Sequence, residues 1–365
     1  MTGTEAPVRI GWIDTGRGVA ILLVALYHSA SWLLGAGFDI PYWREINEAL
    51  SSMRMPLFFA LAGLFAPKWL TVPWSALWNS KLRLYVWVFV IWEVIGSVVF
   101  VLGTGMQGQG FSPRQSLLAL LVSPVAPRFE LWFIWALTLF FVFAKLTRRI
   151  PVGAQLAVAG VVSLLALSGW ETANVGWSGS ARYYFFFLAG LYLRPVILRL
   201  GTVATPLAAG TVVGWAVLSA SVAVFDLRVV PGVYFVNCLV GVAAGVGVSR
   251  ALAGLPRLAF IGRTTLPIYL AHTPIIIMIS FLLSTPLLFP AIATVAGIVP
   301  PVLAAVAVLL ALALHRAAAP TPLRYLYQPV PSMLRIGRPS TESSRPSSAR
   351  PGRVRGAGRH ARDTR

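Results

Sequence analysis

Long apolar runs alternate with short polar stretches along the whole chain, and the runs are too long for strands and too uniformly apolar for helices of a water-solvated core. A helix crossing a bilayer core of roughly 30 Å needs about 20 apolar residues, slightly fewer where polar residues cap it. Ten segments meet this loosely: 16–34, 52–66, 85–103, 131–146, 152–169, 183–198, 204–225, 232–253, 266–283 and 292–314. The pattern predicts an all-α, polytopic transmembrane bundle of about ten spans. Residues 103–130 hold only the short apolar run 117–122 and are punctuated by Pro113, Pro124 and Pro127, which predicts a long loop carrying an interfacial helix.

Composition points the same way. The chain is 57% hydrophobic and 11% charged, where soluble globular proteins carry roughly 25% charged residues. The even spacing of the runs offers no break between two cores, so one membrane domain is expected over 1–334. The remaining 335–365 holds nine Arg against Glu342 and Asp363, among Ser, Pro and Gly. Such a segment cannot offset its ordering entropy by burial and predicts a disordered tail near anionic head groups. This tail supplies a good part of the formal +19 charge, which therefore needs no nucleic-acid partner. The first apolar run is too long for a cleaved signal peptide and lacks a small-residue exit, so it is expected to remain as a span. Cys238 stands alone and builds neither a disulfide nor a thiolate metal site within one chain.

Orientation follows from the basic residues in alternate loops. One set carries Lys68, Lys81, Arg83, Lys145, Arg148, Arg149, Arg194, Arg199, Arg250, Arg257 and Arg263 with no acidic residue. The opposite set mixes Arg44, Arg54, Arg114, Arg128, Arg182 and Arg228 with Asp39, Glu45, Glu48, Glu130, Glu171 and Asp226. The first set is expected in the cytoplasm, and an even number of spans places both termini there.

Ionisable residues inside a span are costly and usually face the bundle interior or a wet cavity. His28, Glu93 and His272 qualify. His28 follows Arg17 by eleven residues, about 1100° of helical rotation and about 16.5 Å of rise, so both side chains lie on one face of the first helix. A single groove could present a guanidinium at the inner rim and an imidazole near mid-membrane. Imidazole titrates closest to neutrality, and an acceptor hydroxyl attacking a thioester needs a base for its proton. An interhelical hydrogen bond is the competing use of His28. Glu93 could orient His28 or pair with an arginine, and His272 could line the same cavity or only pack helices. Lys81 and Arg83 sit beside the Arg17 stripe, either as phosphate ligands or as topology anchors. Arg54 and Arg182 open helices on the outer side, where guanidinium forks suit sugar hydroxyls, carboxylates or an oxyanion. Glu130 reads better as a structural residue. No P-loop, zinc motif or dinucleotide fingerprint appears, and no metal is expected.

Several strings, taken in order, resemble the membrane proteins of acyltransferase family 3, which include bacterial glycan O-acetylases. They are Ile13-Asp14-Thr15-Gly16-Arg17-Gly18 with His28-Ser29, Arg54-Met55-Pro56-Leu57-Phe58-Phe59 with Gly63, Leu131-Trp132-Phe133, Tyr184 to Gly190, and Ile268-Tyr269-Leu270-Ala271-His272. The first strings are nearest in wording to fucose 4-O-acetylase-like members. The resemblance implies acyl-CoA, with acetyl-CoA first, as a donor substrate on the cytoplasmic side. It also implies His28 as catalytic histidine, Arg17 as a residue required with it, and a glycan or glycolipid acceptor. Family members usually show an arginine pair where Lys81 and Arg83 stand. The expectation is an O-acyltransferase of a bacterial cytoplasmic (inner) membrane, surrounded by lipid and without a permanently bound cofactor. A glycan or lipid transporter without acyl-transfer chemistry is the alternative.

Overall fold

Inside a bilayer every backbone N–H and C=O must find its partner within the protein, which for so apolar a chain leaves helices. The computed structural model describes residues 10–106 and 112–331, and among these there are helices and turns and no strand. The tail 335–365, expected to be disordered, lies outside the described residues.

Ten long helices carry the architecture: α1 (Gly11–Gly35), α2 (Trp43–Gly63), α3 (Arg83–Met106), α4 (Trp132–Leu146), α5 (Val152–Leu167), α6 (Val175–Tyr192), α7 (Thr205–Val224), α8 (Val233–Ala251), α9 (Thr265–Leu283) and α10 (Val299–Ala318). Each overlaps one of the ten predicted segments. Among the described residues seven of these, α1, α3, α4 and α7 to α10, are long and apolar enough to cross a membrane, counting the short turns that extend them. An eighth span results if α6 and the helix Arg194–Leu200 are one bent element. The other two helices fall short for different reasons. At sixteen residues, α5 is about 24 Å long against a core of roughly 30 Å. In α2 the first half carries Arg44, Glu45, Asn47 and Glu48, and Arg54 follows just past the midpoint.

Two boundaries differ from the periodicity. The second helix begins at Trp43 instead of residue 52, because its polar first half faces a cavity where apolarity is no guide. The sixth was expected over 183–198 but runs from Val175 to Tyr192 and then turns by 87° into Arg194–Leu200. Pro195 explains the break: it has no N–H to donate to the carbonyl four residues earlier, so α6 stops at Tyr192 and a new helix starts with the proline in its first turn. The predicted interfacial helix is present as Pro113–Val122, with the Ser112 hydroxyl accepting from the Gln115 N–H at 3.4 Å.

At the centre, α1 packs against α2, α8, α9, α10 and the short helix Pro256–Arg263, while α2 packs on α6 and α8. The α2–α6 crossing is a backbone contact. A Cβ on Gly63 would lie 2.1 Å from the Phe187 carbonyl, and one on Gly190 would lie 2.0 Å from that of Ala60. Small residues allow this approach, which in lipid replaces hydrophobic burial as the source of helix adhesion.

Candidate functional site: two cavities and a shared wall

Among the cavities of the described residues, two each contain one end of the polar stripe on α1. The first, about 560 Å³, holds His28 among residues of α1, α2 and the N-terminal parts of α4 and α6. The second, about 700 Å³, holds Arg17 together with Lys68, Lys81 and Arg194. Arg17 and His28 thus share a helix side turned toward α9, where Arg17 donates to the Thr265 hydroxyl at 2.8 Å and the His28 ring lies 5.3 Å from that of His272. They do not open into one groove. Phe58, Phe133 and Tyr269 line both cavities and form the wall between them.

The surroundings of His28 are aromatic and cationic. Tyr27 meets its ring edge-on at 4.9 Å, and the Arg54 guanidinium stacks 4.4 Å over the Tyr27 ring. Arg54 is 4% exposed, lines the cavity and is close enough for its charge to be felt at His28. One of its terminal nitrogens, Nη1, has no hydrogen-bond partner among the described residues. Arg182 and Arg228 reach the same cavity but are held by carboxylates, Arg182 by Glu171 at 2.9 Å and Arg228 by Glu48 at 3.1 Å. Arg54, in contrast to the other two arginines, has no carboxylate partner among the described residues.

His272 is fully buried behind His28 and is not on the cavity wall. Its Nδ1 faces the carbonyls of Ile268 at 3.0 Å and Tyr269 at 2.8 Å. Two acceptors fix Nδ1 as the protonated nitrogen and leave Nε2 to accept from the Thr273 hydroxyl at 3.1 Å. The same hydroxyl faces the Glu130 carboxyl, which lines the His28 cavity. His272, expected as a substrate-binding residue, thus lies behind His28 and does not line the cavity. Glu93 is likewise on neither wall: it is buried on α3 beside Arg128. Glu130 takes the carboxylate position in the cavity instead. It directly follows Phe129, whose left-handed backbone geometry (φ 49°) is rare for a bulky residue, just before α4 begins.

In the Arg17 cavity the expected cation set is partly rearranged. Lys81 lies on a π-helical turn, Trp78–Leu82, which leads into α3, and its ammonium is 5.8 Å from the Tyr85 ring centroid. Arg83 does not reach the cavity; its guanidinium folds back onto Asn79, donating to the backbone carbonyl at 3.0 Å. Lys68 and Arg194 take its place, from the short helices Pro67–Thr71 and Arg194–Leu200.

A family model for an acyltransferase domain matches residues 10–314. The chain belongs to acyltransferase family 3. Comparison with curated proteins and with solved structures returned no match. The matched region spans α1 to most of α10 and so contains both cavities of this acyltransferase. Its membrane helices make it an integral membrane protein.

Several residues lining the two cavities carry no marker of a site in the hydropathy pattern of the sequence. Arg44 and Glu48 line the His28 cavity from adjacent turns of α2, and their four-residue spacing on one helix face was a readable signal. Lys68 and Arg194 had counted only toward orientation. The shared wall had no sequence signal, since Phe58 and Phe133 sit in strings as aromatic as any core.

Proposed function

We propose that this acyltransferase moves an acyl group, acetyl first among them, from cytoplasmic acyl-CoA to a hydroxyl of an extracytoplasmic glycan or glycolipid in a bacterial cytoplasmic membrane. One observation carries the reading: two cavities share a wall, one offering four cations to a polyanion and the other a histidine within reach of that wall. The CoA phosphates would be held by Arg17, Lys68, Lys81 and Arg194 through charge-assisted hydrogen bonds. The acceptor would enter the His28 cavity, with Glu130 and Arg182 as ligands for its hydroxyls.

In the transfer the acceptor oxygen attacks the thioester carbonyl carbon while His28 takes the hydroxyl proton. The Arg54 guanidinium, with no carboxylate partner among the described residues, stabilises the tetrahedral oxyanion. As that intermediate collapses the C–O bond is kept, the C–S bond breaks, and the proton passes from His28 to the departing sulfur to give CoA thiol. His272 holds the His28 ring by contact, its own orientation fixed by its two carbonyl acceptors.

Purified protein in proteoliposomes, given acetyl-CoA and a cell-envelope glycan fraction, tests this by mass spectrometry of the glycan. His28→Ala should lower transfer by about 10²–10⁴-fold, the range for loss of a general base. Arg17→Ala should raise the KM for acetyl-CoA. Wild-type transfer in His28→Ala would remove the histidine from the mechanism, and a protein that moves glycan without acyl-CoA-dependent product would be a transporter.

A further inference from the structure

The wall between the two cavities is made of rings held unequally. The Tyr269 hydroxyl donates to the Glu130 carbonyl at 2.5 Å and accepts from the Ile134 N–H at 3.3 Å, so this ring is tied at its tip. Phe133 is wedged: its ring centroid lies 4.6 Å from Phe59, 5.5 Å from Tyr269 and 6.4 Å from Trp132. Phe58 stacks on Phe133 at 4.7 Å and 8°, and among the described residues that is its one aromatic contact. It is buried in the main hydrophobic core and borders both cavities. Turning Phe58 aside breaks one aromatic contact, whereas moving Tyr269 breaks two hydrogen bonds and moving Phe133 disturbs four neighbouring rings.

We propose that Phe58 is the gate between donor and acceptor cavities, and that the opening left by its ring, bounded by Phe133 and Tyr269, selects acyl groups by width. This rests on the acyl-transfer reading above. With Phe58 stacked, a thioester in the Arg17 cavity is screened from His28 and from water in the acceptor cavity. With Phe58 turned aside, a narrow acyl group passes beside Phe133 and Tyr269, while a branched or aromatic one is stopped. Phe58 therefore controls two properties together, the acyl group accepted and the loss of donor to hydrolysis, in which water replaces the acceptor hydroxyl and yields free acid and CoA thiol.

The test compares wild type, Phe58→Ala, Phe58→Leu and Phe58→Trp in proteoliposomes, with acetyl-, isobutyryl- and benzoyl-CoA as donors. CoA binding and thermal melting are measured for each. Phe58→Ala should raise the benzoyl-to-acetyl turnover ratio about tenfold, the scale on which pocket size discriminates substrates. It should also increase hydrolysis of acetyl-CoA without acceptor. Phe58→Trp should bind CoA as wild type does and lose transfer. Phe58→Leu, which keeps more of the packing, should shift the ratio in the same direction and decides the question if the alanine variant does not fold. Wild-type transfer by Phe58→Trp, or an unchanged acyl profile in both smaller variants, overturns the gate and leaves the acyl-transfer reading standing. A wild-type protein without acyl-CoA-dependent product overturns that reading, and the gate with it.

Discussion

Lys145 and His272 are both buried ionisable side chains, yet what their hydrogen bonds do differs. The Lys145 ammonium donates to the carbonyls of Trp69 at 3.0 Å and Leu70 at 3.3 Å, and also to that of Val72. All three of its protons go to carbonyls at and just beyond the end of Pro67–Thr71, the helix that brings Lys68 to the Arg17 cavity. Lysine at the end of a membrane helix usually marks topology; here it is a clamp. Lys145→Met should therefore leave the Trp69 and Val72 carbonyls short of a donor, the Leu70 carbonyl keeping Arg148 at 3.0 Å, and cost about 1–3 kcal/mol. A lower melting temperature in detergent and weaker CoA binding would check this, and unchanged values for both would show that the clamp holds nothing. His272 instead spends its Nδ1 proton within its own helix and faces His28 with its ring. His272→Asn keeps a short donor toward the carbonyls of Ile268 and Tyr269 and removes the ring. Steady-state kinetics should show a reduced kcat, an unchanged KM for acetyl-CoA, and less damage than His272→Ala. An equal loss in both variants would assign the whole effect of His272 to its ring.

At the scale of elements, the helices were legible because the bilayer makes apolarity nearly equivalent to span. The legibility failed where a helix serves a cavity. Trp43 to Ser51 is helical but polar, so hydropathy placed the start of α2 nine residues late, and the His28 cavity lost Arg44 and Glu48 from view. The Arg17–His28 stripe could be read from rotation alone, since eleven residues nearly complete three turns. Its division into two cavities could not, because the rings that divide it come from α2, α4 and α9 and meet only in three dimensions. Glu93 and Glu130 show the same limit: both were visible as carboxylates, and only the packing of the helices places Glu130 and not Glu93 on the cavity wall. The glycine contacts are the converse, local in sequence and decisive in packing. Gly190→Val would place Cβ 2.0 Å from the Ala60 carbonyl, forcing α6 away from α2. Overpacking of this kind costs about 1–3 kcal/mol. The melting temperature should fall, and transfer should fall further than stability does because Arg182 and Tyr183 ride on α6. A variant with wild-type melting and turnover would show that the crossing has slack.

For the whole molecule, loop charge and cavity composition are separate observations that sort the same residues. Lys68, Lys81 and Arg194, which line the Arg17 cavity, all belong to the loop set without acidic residues. Arg44, Arg54, Arg182 and Arg228, which line the His28 cavity, all belong to the mixed set. Under the proposed function the positive-inside tendency would give the Arg17 cavity a cytoplasmic mouth, the side where an acyl-CoA donor would be supplied. Cys238 is the one cysteine of the chain and is fully buried, so single reporter cysteines can be added to the native sequence. Ser75 and Ala173 are exposed positions near opposite ends of the bundle, one beside the Arg17 cavity and the other in the turn before α6. In right-side-out vesicles a membrane-impermeant maleimide should modify Ala173→Cys and leave Ser75→Cys unreacted until the membrane is opened. Acetyl-CoA added outside such vesicles should support no transfer, whereas the same donor trapped inside should. The reverse labelling pattern would invert the orientation and require the donor to bind from the extracytoplasmic side, where no acyl-CoA pool is expected. The cation cluster around Arg17 would then need a different polyanion as its ligand.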